Sequence, residues 1–100
     1  MQETIVKIEK SKAKGKKYAA IVRNKQTRKT RRINFGASSY GQFRDSTPLR
    51  LYSAKNHGDK KRRANYFSRH SGVATKAAAV RKEKRSGRYT AKLLSHIYLW

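Results

Sequence analysis

The 100 residues contain no cysteine, one proline and five acidic side chains. Without cysteine there are no disulfide staples and no thiolate metal sites, so a chain this short draws its stability from a core or from a partner. No stretch approaches the roughly 18 apolar residues of a membrane helix. The opening MQETIVKIEK also lacks the apolar segment of a secretion signal. The expectation is an intracellular soluble chain or an assembly component. Catalytic signatures are equally sparse. Glu3, Glu9, Asp45, Asp59 and Glu83 are scattered and form no acid–base pair in sequence, and neither a phosphate-binding GxxxxGK loop nor a GxSxG elbow occurs. His57-Gly58-Asp59 is the only close cluster of possible metal ligands; it reads better as a capping Asp beside a surface histidine, and His70 and His96 also read as surface histidines. The expectation is no enzyme, no cofactor, no metal and no small-molecule substrate.

Against this background stand 27 Lys and Arg, a formal net charge of +22. Residues 1–36 carry net +10, and residues 37–72 and 73–100 carry +6 each. The charge therefore belongs to the folded body rather than to a detachable arm. Five acids cannot neutralise it, so most cations face water or an anionic partner, and a polyanion should stabilise the fold. Six Tyr, three Phe and one Trp are too many aromatics for a disordered polycation. Size favours a single domain over residues 1–100 with a small core inside a basic shell.

The pattern predicts an α+β class. Thr4 to Glu9 alternates, placing Thr4, Val6 and Ile8 on one face and Ile5, Lys7 and Glu9 on the other. Lys17 to Arg23 is β-favourable, Asn24-Lys25-Gln26 supplies a turn, and Lys29 to Phe35 alternates again. These make an antiparallel hairpin or three-stranded sheet over residues 1–36, ended by Gly36. Residues 37–58 read as a long irregular loop, pinned to the core by its aromatics. Residues 59–100 read as two to three short helices: Asp59 caps one that stops at Ser71-Gly72, Thr75 caps one ended by Gly87, and Thr90 caps one that runs through Trp100. Ala64, Phe67 and Ser71 share a helical face. The apolar run Leu93 to Trp100 reads as core, with a docking helix for a partner as the alternative.

Two basic patches stand out as anion contacts. Arg28, Lys29, Arg31 and Arg32 approach the last strand, and Lys60, Lys61, Arg62 and Arg63 fill the first turn of a helix. Cations there oppose the helix dipole, and an anion would meet both their side chains and the unsatisfied N–H groups of that turn. Sequence-specific nucleic-acid signatures are absent, but backbone contact needs none of them.

Lys17-Tyr18-x-Ala20-Ile21-Val22, Ile33-Asn34-Phe35-Gly36-Ala37, Arg44-Asp45-x-Thr47-Pro48-Leu49, Arg62-Arg63-x-x-Tyr66-x-x-Arg69-His70 and Leu94-Ser95-His96-x-Tyr98-Leu99-Trp100 stand in this order along the chain. In combination these segments resemble a family of small basic proteins encoded by large nucleocytoplasmic DNA viruses of algae and protists. The resemblance covers residues 17–100; residues 1–16 match nothing in it. It implies a non-enzymatic protein found in the virion and, during assembly, in the host cytoplasm or nucleus. Two jobs suit such a body. A minor capsid or shell component would dock on other virion structural proteins through Tyr40, Phe43, Leu51, Tyr52, Tyr98 and Trp100 while its cations meet acidic shell surfaces or an anionic membrane. A DNA-binding protein would instead coat or condense the genome. A ribosomal-type RNA binder fits the composition but more often carries a disordered basic extension.

Overall fold

Three antiparallel strands come first in the computed structural model, which describes residues 1–100: β1 (Glu3–Lys10), β2 (Lys16–Asn24) and β3 (Thr30–Ala37), in the order β1-β2-β3. Three helices follow the loop: α1 (Lys60–Ser71), α2 (Lys76–Glu83) and α3 (Ala91–Tyr98), with single 3-10 turns at Ser53–Lys55 and Lys84–Ser86. The α+β expectation holds. None of the helices is long and apolar enough to cross a membrane.

The sheet differs from a strict alternation at one place. Ile5 pairs with Val22 and Lys7 with Ile21, so Val6 is bulged out of the ladder and exposed. The extra residue turns Ile8 to the same side as Ile5, and the expected Val6–Ile8 face does not form. β3 also runs past Gly36, which takes φ +79 within the strand. A β-carbon there would stand 2.8 Å from Leu99 Cδ1, so close approach as well as backbone angle demands glycine.

Ile8, Tyr18, Ala20, Val22, Ile33 and Phe35 of the sheet are buried with Leu94 and Leu99 of the last segment. Full burial of one such Leu is worth roughly 1.5–3 kcal/mol, so these two alone supply an amount comparable to the smaller total stabilities of folded domains, about 5 kcal/mol. Leu93, Leu94 and Leu99 of the apolar run are therefore core, while Ile97, Tyr98 and Trp100 are half-buried. α3 ends at Tyr98, with Leu99 as its cap and Trp100 beyond it, rather than running through Trp100.

The helix caps follow the sequence. The Asp59 carboxylate accepts from the Lys61 and Arg62 N–H groups, Thr75 from Ala78, and Thr90 from Leu93. Gly72 is left-handed at the end of α1, and regular α2 yields at Glu83 to the 3-10 turn before left-handed Gly87. Lysines complete the other ends: Lys82 Nζ donates to Ser71 O and Lys76 Nζ to Ile97 O, satisfying carbonyls that a helix terminus leaves free.

Residues 38–58 are held by a polar network rather than chiefly by their aromatics. The buried Asp45 carboxylate accepts from Tyr18 Oη (2.5 Å), Thr47 N and Oγ1, and Tyr52 N. The buried Lys17 ammonium donates to Tyr40 O and Gln42 Oε1, and Gln42 Nε2 donates to Tyr52 O and Asn56 Oδ1. Lys17 and Tyr18 on β2 therefore anchor the loop. Burial is the main reason the Lys17 ammonium is pushed down to about 8. Burial alone would raise the Asp45 carboxyl, but the hydrogen bonds from Thr47, Tyr18 and the backbone outweigh it and hold Asp45 below the usual carboxylate range.

A candidate polyanion-binding cleft

The five carboxylates are spent inside the fold. Glu3, buried at the start of β1, takes both Nε and Nη2 of Arg31 and the N–H of Tyr89. Glu9 pairs with Lys7 and Arg32 on the exposed sheet face. Asp45 pins the loop, Asp59 caps α1, and Glu83 accepts from Ser71. Among the cations only Lys7, Arg31 and Arg32 are in ion pairs. The surplus positive charge is left to whatever meets the surface.

Five of these cations line one cleft of about 680 Å³ between the end of the sheet, α1 and α3. Lys16 and Lys17 come from β2, Arg62 and Arg69 from α1, and Lys92 from α3. No acidic side chain lines it. Arg62, Tyr66 and Arg69 share a face because they stand at i, i+4 and i+7 of α1. The volume lies within the roughly 300–1,000 Å³ of ligand clefts. His70 on the same wall is held below its ordinary value by burial and by Arg69 and Lys92.

The aromatic part of the lining is Tyr66 and Trp100, stacked with centroids 4.2 Å apart and planes 5° from parallel. Both are half-buried. A hydrogen-bond chain behind them fixes the pair: Tyr66 Oη lies 2.9 Å from His96 Nδ1, His96 Nε2 2.8 Å from Ser71 Oγ, and Ser71 Oγ donates to Glu83 at 2.9 Å. Since Ser71 gives its proton to Glu83, His96 Nε2 is the donor to Ser71 and Nδ1 accepts from Tyr66. His96 is thus fully buried, not a surface histidine. Burial is the main cause that pushes it down to about 4.

The residues singled out from the sequence are distributed differently from the two expected patches. Arg62 joins the cleft, while Lys60 and Lys61 are exposed beside it on the first turn of α1. Arg63 lies over the Phe43 ring at 4.5 Å, a cation–π contact that holds the loop against α1. Two of the free N–H groups expected at this turn, those of Lys61 and Arg62, are already taken by the Asp59 carboxylate. Arg28 and Lys29 are exposed in the β2–β3 turn. Arg31 is committed to Glu3 and to Tyr89 O, and so serves to tie β1 and β3 to the segment before α3. Among the docking candidates, Tyr40 is 71% and Leu51 54% exposed. Tyr52 packs edge-on against Tyr18, Tyr98 against Phe35, and Phe43 edge-on against His57. Lys16, Arg69 and Lys92 are cleft residues that linear clustering does not find; the helical spacing of Arg62, Tyr66 and Arg69 is the signal for one of them.

Comparison with protein-family models, curated proteins and solved structures finds no match. The cleft must be read from its own chemistry. It offers exposed cations, a stacked aromatic pair and no acidic side chain, a set suited to phosphate-rich polymers through charge and to unstacked rings through contact.

Proposed function

We propose that this is a non-enzymatic binding protein that contacts the backbone of a nucleic acid through the cleft between the sheet, α1 and α3. The virus-family resemblance implies the particle of a large DNA virus as its setting. The observation that carries the reading is the convergence of Lys16, Arg62, Arg69 and Lys92 on a cleft lined by no acidic side chain. Each phosphate neutralised releases counterions, so four contacts give a slope of about −3 to −4 in log K against log salt. The test compares Arg62→Ala/Arg69→Ala/Lys92→Ala with the control Lys25→Ala/Arg28→Ala/Lys29→Ala, which removes three exposed cations of the β2–β3 turn. Binding of a labelled oligonucleotide at about 0.15 M salt should weaken strongly, and the slope flatten by about 2–3, only in the cleft variant. Equal losses in both would show a diffuse electrostatic surface and defeat the reading.

A second reading, a shell-docking role, is favoured by Tyr40, Leu49 and Leu51, which expose apolar surface along one loop. Opened particles separate the two: recovery with a nuclease-resistant shell supports docking, and release from the core by nuclease supports genome binding.

A further inference from the structure

We infer that the ligand of this cleft is single-stranded nucleic acid, with a base lying against the Trp100–Tyr66 pair and flanking phosphates on Arg62, Arg69 and Lys92. The inference rests on the nucleic-acid reading above and narrows it. Cations alone would serve a duplex, whose bases are stacked on one another and present only their edges in the grooves. An aromatic pair in a concave basic cleft gains contact only from a base free to leave its stack.

The pair is built before any ligand arrives. Tyr66 cannot swing, because its hydroxyl is held by His96, itself held by Ser71 and Glu83. Trp100 lies parallel on Tyr66, and its backbone N–H donates to Ser95 O at 3.2 Å. A base stacking there meets a surface whose ordering cost has already been met in folding. The cations bracket the ring in the right order: Arg62 one turn before Tyr66 on α1, Arg69 about one turn after it, and Lys92 across the cleft on α3. Seven residues of helix place Arg62 and Arg69 about 10 Å apart along the axis, so both can engage one strand passing over the aromatic pair. The same chain explains why a buried, neutral histidine sits behind an exposed basic cleft: it positions Tyr66 without adding charge.

Trp100 is the sole tryptophan, so its fluorescence reports the proposed contact directly. The full chain is titrated at about 0.15 M salt with a 20-nucleotide oligothymidylate, a 20-base-pair duplex and inorganic polyphosphate. The inference requires the single strand to quench Trp100 and to bind roughly tenfold or more tighter than the duplex, as stacking of one or two bases implies; polyphosphate should bind without comparable quenching. Trp100→Phe, which keeps a ring in the cleft wall and is followed by the anisotropy of labelled oligonucleotides, should lose most of the single-strand preference. If duplex and single strand bind alike and neither quenches, the inference fails while the nucleic-acid reading stands. If neither binds at this salt, both fail. Should Trp100→Phe disturb the fold, the titration of the unaltered chain still decides.

Discussion

Replacing Asp45 by Asn tests what holds the long loop to the sheet. The buried carboxylate, 3% exposed, divides four accepted hydrogen bonds between its oxygens: Thr47 N and Oγ1 on Oδ1, Tyr18 Oη and Tyr52 N on Oδ2. An amide of the same shape keeps one accepting oxygen and turns an NH₂ toward two donors. Two charge-assisted bonds are lost, each worth about 1.5–3 kcal/mol, and the donors that remain are buried. We expect a loss of about 3–5 kcal/mol, a large share of the total stability of a domain this size. Urea unfolding followed by Trp100 fluorescence gives the magnitude, and hydrogen exchange shows where it falls: the amides of Leu51 and Tyr52 should lose protection before those of β2. A variant within about 1 kcal/mol of the parent, with those amides still protected, would refute the pinning role and return it to the aromatics.

Acid should destabilise the fold in two stages. His96 is held near 4 in the folded chain against 6.5 ordinarily, so the unfolded chain takes up its proton first. Its effect is absent above pH 6.5, grows as pH falls from 6.5 toward 4, and has a ceiling of about 3 kcal/mol; His57 and His70, also depressed by burial, act in the same direction. Below that range Asp45 and Glu3, both held under their ordinary values, extend the loss as they protonate. Unfolding midpoints that stay flat between pH 7 and 5 would contradict a neutral His96. Gly36→Ala should cost about 2–4 kcal/mol, from the left-handed backbone and the collision with Leu99; a denaturation midpoint close to the parent's would show that Leu99 moves aside freely. Arg31→Met should destabilise by about 1–3 kcal/mol, because Glu3 loses its charged partner and keeps only the Tyr89 N–H, yet leave oligonucleotide affinity unchanged in a folded sample, whereas loss of affinity would make Arg31 a ligand contact.

The strands, the capped helices and the core role of Leu94 and Leu99 were legible because each depends on local pattern: alternation, a Thr or Asp before a helical run, a glycine after it. The Val6 bulge was not, since a one-residue slip in pairing leaves no mark in the composition of the strand. The same limit hid the role of Asp45, whose partners Tyr18 and Tyr52 lie 27 and 7 residues away. Charge density pointed to anion binding, but clustering along the chain favoured Arg28–Arg32 and Lys60–Arg63. Folding redistributed them. Glu3 claims Arg31, Phe43 takes Arg63, and the cleft instead gathers Lys16, Arg69 and Lys92 from three elements. His96 lies in an apolar run, which was the available sign that it would be buried.

The most direct test of the cleft is an amide and indole NMR titration of the full chain with oligothymidylate at about 0.15 M salt. The largest shifts are expected at Lys16, Arg62, Arg69, Lys92 and the Trp100 indole, with Lys25 to Lys29 barely moving. Shifts spread evenly over the exposed cations, or centred on the β2–β3 turn, would contradict it.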